Sequence, residues 1–326
     1  VLAAPAAQQS GAQATVNETL RFAFQHADTF TQLPMNVRMS MMNNRYAVLD
    51  GETRYQRPNH MHNKGIWVKP FTSFESMDLK NGPKVDAITY GTLIGFDSNF
   101  QDFGQGWYGV TSGYVGYNGS LIDYQSVDTT MNGGVVGLTE TLYKGKFFTA
   151  LTATAGASAG SSNTMYGHEN FAMLLAGLGS KTGYNFEFQD GKYIIQPIMF
   201  LNYTFVNTFD YTNAAGVSID SDPLHSLQLN PSVRFIANLS NGWQPYASVG
   251  MVWNVLNSSK VRANDILLPR MSVKPYVEYG LGLQRTWADR FTAYGQAMVR
   301  NGGRNGVMLS AGMRWSLGED EPIDAI

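Results

Sequence analysis

The stretch FAMLLAGLGSKTGYNFEFQDGKYIIQPIMFLNYTFV, residues 171–206, decides the fold because its two halves alternate more cleanly than any other part of the chain. In the first half Ala172, Leu174, Ala176, Leu178, Thr182, Tyr184, Phe186 and Phe188 fall on one face. Gly177, Gly179, Lys181, Gly183, Asn185 and Glu187 fall on the other. A period of two is the signature of a strand. The second half repeats it, with Tyr193, Ile195, Pro197, Met199, Leu201, Tyr203 and Phe205 set against Gln196, Asn202 and Thr204. The turn Gln189-Asp190-Gly191 joins the halves into a hairpin. Strands of soluble sheets run to about five or six residues, whereas a tilted strand needs roughly nine to eleven to cross a bilayer. The length, the apolar face and the small, polar opposite face predict a membrane-spanning hairpin. Taken alone, the same hairpin also fits a large soluble β-sandwich.

Composition points to the membrane. The chain has 326 residues with 34 glycines, 17 tyrosines and 18 phenylalanines, but only 15% charged residues. Such a mixture fits strands that present aromatics to one side and small residues to the other. A net charge of −2 implies no polyanion or nucleic-acid partner. Cysteine is absent, which excludes disulfides, thiolate zinc sites and cysteine nucleophiles and suits a protein that crosses an oxidising compartment unfolded. No apolar run reaches eighteen residues, and mean hydropathy is −0.19. Neither fact counts against a barrel, because half of each barrel strand faces water. The chain starts at Val1 without a charged-then-apolar leader, and it reads as a mature product or a fragment.

Outward from the hairpin, twelve strands are predicted, near 65–77, 86–98, 106–118, 128–143, 146–157, 170–188, 192–206, 226–240, 243–256, 272–287, 290–301 and 305–317. Tight links such as Lys144-Gly145, Asn241-Gly242 and Ala288-Asp289 alternate with longer ones at 207–226 and 256–271. Short periplasmic turns alternating with long external loops mark an outer-membrane barrel, and an even strand count puts both barrel ends in the periplasm. Phe147, Tyr193, Trp243 and Trp315 are expected in an aromatic belt at the periplasmic interface, with Trp253 near the outer one. The last strand points Val307, Leu309, Ala311, Met313, Trp315 and Leu317 outward. The acidic stretch 318–326 reads as a short periplasmic tail.

Ahead of the barrel lie 64 residues. Val1 to Gln13 are small and polar and read as a linker. A helix is predicted over about 14–49, kinked near Pro34, from the spacing of Val16, Leu20, Ala23, Ala27 and Phe30. Its thirty residues to Asn43 would reach about 45 Å if wholly helical. The narrow apolar stripe and the polar faces with Arg21, Gln25, Asp28 and Arg38 suit a polar lumen better than lipid. The architecture is therefore a 12-stranded antiparallel transmembrane β-barrel over 65–317 with an N-terminal helix threaded through its lumen.

The segment SKTGYNFEFQDGKYIIQPIMFLNYTFVNTFDYTNAAGVSI, residues 180–219, resembles the central hairpin of type Va autotransporter β-domains. Gly183, Tyr184, Pro197, Tyr203 and Gly216 match that pattern in order. GIWVKPF at 65–71, LIGFD at 93–97, GWQPYASVGMVW at 242–253 and AGMRW at 311–315 extend the likeness over about 35–317. The resemblance implies a translocator that exports and anchors an N-terminal passenger at the cell surface, with the linker directed outward. It also implies outer-membrane lipid and the barrel-assembly machinery as partners. Family members usually end at an aromatic on the last strand, whereas nine residues follow Leu317 here. Two other functions fit such a barrel: a passenger-less channel, or a structural anchor bound to another envelope protein.

The chemistry expected of the lumen is structural. Alternation turns Lys69, Glu75, Asp97, Lys181, Glu187, Arg234, Lys274, Glu278, Arg300 and Arg314 inward, a mixed lining suited to holding a polar helix. Some autotransporters cleave their linker between two asparagines inside the pore, and Asn43-Asn44 offers that dipeptide. His60 and His62 lack a third ligand nearby, so no metal or other cofactor is expected. His168 and His225 read as loop residues without serine partners, and no phosphate loop or nucleophile elbow is present, so the chain reads as non-enzymatic.

Overall fold

The computed structural model describes residues 4–22, 64–80, 84–99, 101–124, 127–189, 191–239, 243–258, 261–264, 266–267, 272–287 and 291–317. Twelve long strands follow one helix. They are β1 (Gly65–Lys80), β2 (Lys84–Asp97), β3 (Trp107–Tyr124), β4 (Val127–Lys144), β5 (Phe147–Thr164) and β6 (Gly167–Tyr184), then β7 (Tyr193–Thr208), β8 (Leu224–Ala237), β9 (Trp243–Ser258), β10 (Tyr276–Trp287), β11 (Phe291–Gly302) and β12 (Arg304–Ser316). Each pairs antiparallel with the next, and β1 pairs with β12 from Gly65↔Ser316 to Met77↔Arg304, which closes the barrel. Closure removes the free sheet edges that a bilayer would leave unsatisfied.

Side-chain alternation follows the expected parity. On β7 Tyr193, Met199 and Leu201 are exposed while Gln196, Asn202 and Thr204 are buried. The outer wall is apolar far beyond what water tolerates, with Leu281 70% and Leu138 65% exposed. Contiguous exposure of that kind marks a lipid-facing surface. Among the described residues no helix is long and apolar enough to cross a membrane.

Strands β3 to β6 run eighteen residues each, or about 60 Å along the strand, and so extend past a bilayer at the long-loop end. There the outward positions turn polar, with Asp86, Asp123, Asp128 and Asn163 exposed. The two longest loops add a four-stranded sheet of Tyr211–Thr212, Ser218–Ser221, Val261–Ala263 and Ile266–Leu267. At the opposite end β4 and β5 are joined by a two-residue turn in which Gly145 adopts φ 59°, which glycine reaches without strain, while the link between β2 and β3 carries a short strand, Gln101–Gly104. The expected sixth strand breaks at Asn185, and its last part continues as the short strand Phe186–Phe188. His168 and His225 lie on β6 and β8 rather than in loops.

Among the described residues the helix, α1, spans Ala4–Phe22, so it begins ten residues before the expected start at 14. Residues 4–13, read from sequence as a linker, are helical because alanine and glutamine are good helix formers and Pro5 sits in the first turn, where it costs no hydrogen bond. Apolar periodicity could not reveal this half. Gln8, Gln9, Gly11, Ala12, Gln13 and Ala14 are all buried, so polar and small residues alike face the wall here and set no apolar period. The remainder of the expected helix with the Pro34 kink, together with Gln25, Asp28, Arg38, Asn43, Asn44, His60, His62 and the tail 318–326, lies outside the described residues.

Candidate functional site in the barrel lumen

The helix enters the lumen through three layers of contact. At its N-terminal end Gln8 donates through Nε2 to Ser162 Oγ at 2.9 Å and accepts from the Tyr211 hydroxyl at 3.4 Å. Both partners belong to the long-loop end. One turn further on, Ala12 and Val16 pack into an apolar collar that includes Met77, Ile122, Met131, Phe171 and Met173. Gly11 meets the same wall, and a Cβ there would overlap the Ile122 side chain. Gln13 Nε2 donates to Ser226 Oγ at 2.8 Å, and Asn118 Nδ2 donates to Thr19 Oγ1 at 3.3 Å. The collar adds to the small, polar inner face expected from sequence: at this level inward positions include large apolar side chains that seal against a helix stripe of small residues.

The third layer is ionic. Glu18 and Arg21 from the helix meet Glu75 of β1, Glu278 of β10, Arg300 of β11 and Arg304 of β12. Arg300 reaches Glu18 at 2.6 Å and Glu278 at 3.0 Å and also pairs with Glu75. Arg21 contacts Glu278 at 2.5 Å, and Arg304 Nη2 contacts Glu75 at 2.9 Å. Three carboxylates thus balance three guanidiniums, and burial leaves almost none of them to water. Burying charge is costly unless every member is paired, so this network specifies one seat for the helix more than it adds stability.

A second polar cluster lies toward the short-turn end. Asp97 accepts from Trp67 Nε1 at 2.9 Å, from Ser112 Oγ at 2.6 Å and from Arg314 Nε at 2.8 Å. These residues come from β1, β2, β3 and β12, so the cluster locks the seam where the first and last strands meet. The large Trp67 ring fits inside because Gly95 faces it, where a Cβ would collide with the indole.

Of the ten lumen residues expected from alternation, Lys69, Glu75, Asp97, Lys181, Arg234, Glu278, Arg300 and Arg314 are buried. Glu187 is partly exposed near the short turns, 3.6 Å from Lys146. Lys274 is exposed and lies in the link ahead of β10, not on an inward strand position. Its strand was expected to begin at 272, but Lys274-Pro275 interrupts the pairing, as proline removes a ladder donor. Arg304 and Glu18 were missed. Arg304 shares the even parity of Arg314 and Ser310 and was legible, but its setting in Asn301-Gly302-Gly303-Arg304 reads as a turn.

Lys69, Lys181 and Arg234 each stand over an aromatic ring, Tyr294, Phe200 and Tyr246 respectively, at 5.0–5.4 Å. On the outer wall the belt residues form a chain of rings, with Trp243–Trp287 at 6.0 Å, Trp287–Phe291 at 5.5 Å and Phe291–Trp315 at 5.1 Å. Phe147 stacks edge-on against Trp107 at 6.3 Å, while Tyr193 and Trp253 are exposed on the same wall. Among the described residues no group of histidines, cysteines and acids has the geometry of a metal site. The chemistry of the lumen is retention of a polypeptide by charge, hydrogen bonding and shape.

A search of curated protein sequences finds no match. Solved structures share the fold at low identity. The β-domain of the Bordetella autotransporter BrkA has a TM-score of 0.63 and 18% identity, covering 78% of this chain and 99% of its own. The translocator domain of NalP from Neisseria meningitidis has a TM-score of 0.63 and 13% identity over 89% and 99% of the two chains. The transport unit of AIDA-I from Escherichia coli has a TM-score of 0.61 and 14% identity over 82% and 92%. The model of the autotransporter β-domain family matches residues 66–298, which run from the first strand to the eleventh. With that match over most of its length and a helix-filled twelve-stranded barrel, the chain belongs to the autotransporter β-domain family.

Proposed function

We propose that this barrel is the translocator and surface anchor of an N-terminal passenger, set in the outer membrane with its short turns in the periplasm and its long loops outside. The observation that carries this reading is the direction of α1. Its start, at Gln8, lies against Ser162 and the loop residue Tyr211, while the barrel begins again at Gly65 among the short turns. A chain attached ahead of Ala4 therefore leaves at the long-loop end. Insertion by the barrel-assembly machinery belongs to the same reading, with the amphipathic last strand and Trp315 facing lipid.

Surface display tests the proposal. An epitope placed ahead of Val1 in the full chain, expressed with a secretion leader, is expected to be labelled by antibody on intact cells and removed by added protease. An epitope that becomes accessible only after the outer membrane is opened would contradict export in this direction.

A further inference from the structure

Among the described residues of the belt, Arg285 stands within cation–π distance of two tryptophans. It lies on the outward face of β10, on the same parity as the exposed Tyr279, Leu281, Leu283 and Trp287. Its guanidinium carbon stands 4.9 Å from the Trp243 ring and 5.4 Å from the Trp287 ring. Its Nε has no hydrogen-bond partner. The two rings meet edge to face at 82°, so together they form a corner beside the guanidinium, which keeps its charge for an anion. Directly opposite on β11 stands Ala293, small enough to leave that edge open.

The wall beside this arginine is grooved. A depression of about 550 Å³ crosses β7 to β10, lined by Ile195, Phe235, Pro245, Ala247 and Leu281. Pro245 pairs with Leu283, one outward position from Arg285, so the rim of the groove lies one outward position short of the guanidinium, which is not itself part of the lining. Alanines at 237 and 247, both on outward positions, create the depth. An apolar trench with a guanidinium flanked by two indole rings just beyond its rim, at the level of the aromatic belt, has the two-part chemistry of a phospholipid: acyl chain in the trench and phosphate on the fork.

We propose that Arg285, with Trp243 and Trp287, binds the phosphate of a phospholipid in the leaflet at the short-turn end, and that the groove of Pro245, Ala247 and Leu281 takes one of its acyl chains. The site rests on the membrane placement of the barrel and not on passenger export, so surface display and lipid binding fail independently.

The test is native mass spectrometry of the full chain in detergent, titrated separately with phosphatidylglycerol and with inorganic phosphate. One phosphatidylglycerol is expected to persist on the folded chain. Arg285→Gln, which loses charge-assisted hydrogen bonds, should weaken it about tenfold. Ala247→Phe, which fills the trench and leaves the guanidinium intact, should also release the lipid. Each variant is first shown to be folded by its heat-modifiable migration in gels. Lipid retention unchanged in both variants would overturn the site. Phosphate binding alone that is lost in Arg285→Gln but kept in Ala247→Phe would overturn the lipid assignment in favour of a free anion.

Discussion

Arg300 on β11 donates from Nη2 to Glu18 Oε1 on the helix across 2.6 Å, and the two residues are 282 positions apart in the chain. This contact ties the segment ahead of the barrel to the penultimate strand. It is also the part of the lumen that only the complete fold assembles. Removing one member of a buried network costs about 3–5 kcal/mol because its partner keeps its charge without compensation. Glu18→Gln keeps the shape and removes the charge, so it is expected to loosen the helix by an amount toward the lower end of that range. Planar-bilayer recording checks this: the open-state conductance should rise over the parent, and an unchanged conductance would count against a helix seated by this network.

Gly11 lets α1 approach the wall at Ile122, Met131 and Ser120. A glycine within a helix costs about 1 kcal/mol relative to alanine, so its use here reflects the close approach. Gly11→Leu should displace the helix without affecting the strands. The expected result is higher conductance with an unchanged barrel melting temperature, measured by gel migration against temperature. A drop in both would place Gly11 in the barrel's own stability instead.

At the seam, Arg314→Leu leaves Asp97 buried without its cation. The barrel itself should lose about 3–5 kcal/mol, read as a lower unfolding midpoint in urea. Asp97→Asn in the Arg314→Leu background should recover part of the loss, since the lone charge is then gone.

Much of this molecule was legible before its structure. The twelve strands and their parity follow from alternation because each wall residue faces either lipid or lumen, and that choice repeats every two residues. The buried positions of Lys181, Arg300 and Arg314 follow from the same rule. The first half of α1 did not, because Gln8, Gln9 and Gln13 are buried alongside Gly11, Ala12 and Ala14, so polarity there does not mark a wet face. Nor did the Arg285 recess, which depends on which residues the register sets across from one another: Trp243 and Ala293 lie opposite Arg285 only once the strands are paired.

The loop sheet is expected to respond to pH. Asp210 raises the pKa of the Asp220 carboxyl above its ordinary value by like-charge repulsion, with burial and Asp222 adding to the effect and Arg262 opposing it. A carboxyl raised on folding contributes stability when protonated and loses it as pH rises through the folded pKa. The sheet of residues 211–221 and 261–267 should therefore resist added protease better just above pH 4, within the carboxylate range, than at neutral pH. In Asp220→Asn cells the difference should shrink, and an unchanged pH response would assign it elsewhere.

The helix in the lumen, with its start at the long-loop end, is the claim on which the rest depends. The chain has no cysteine, so it can be tested with introduced thiols alone. Gln13→Cys with Ser226→Cys replaces a pair now joined by a 2.8 Å hydrogen bond. A short bifunctional thiol reagent is used, because a glutamine reaching a serine holds the Cβ atoms farther apart than a disulfide spans. In intact cells this pair is expected to cross-link efficiently, seen as altered gel migration of the denatured chain, while Gln13→Cys paired with Trp315→Cys on the lipid face gives none. Failure of the first pair, or equal cross-linking of both, would contradict a helix held in the lumen.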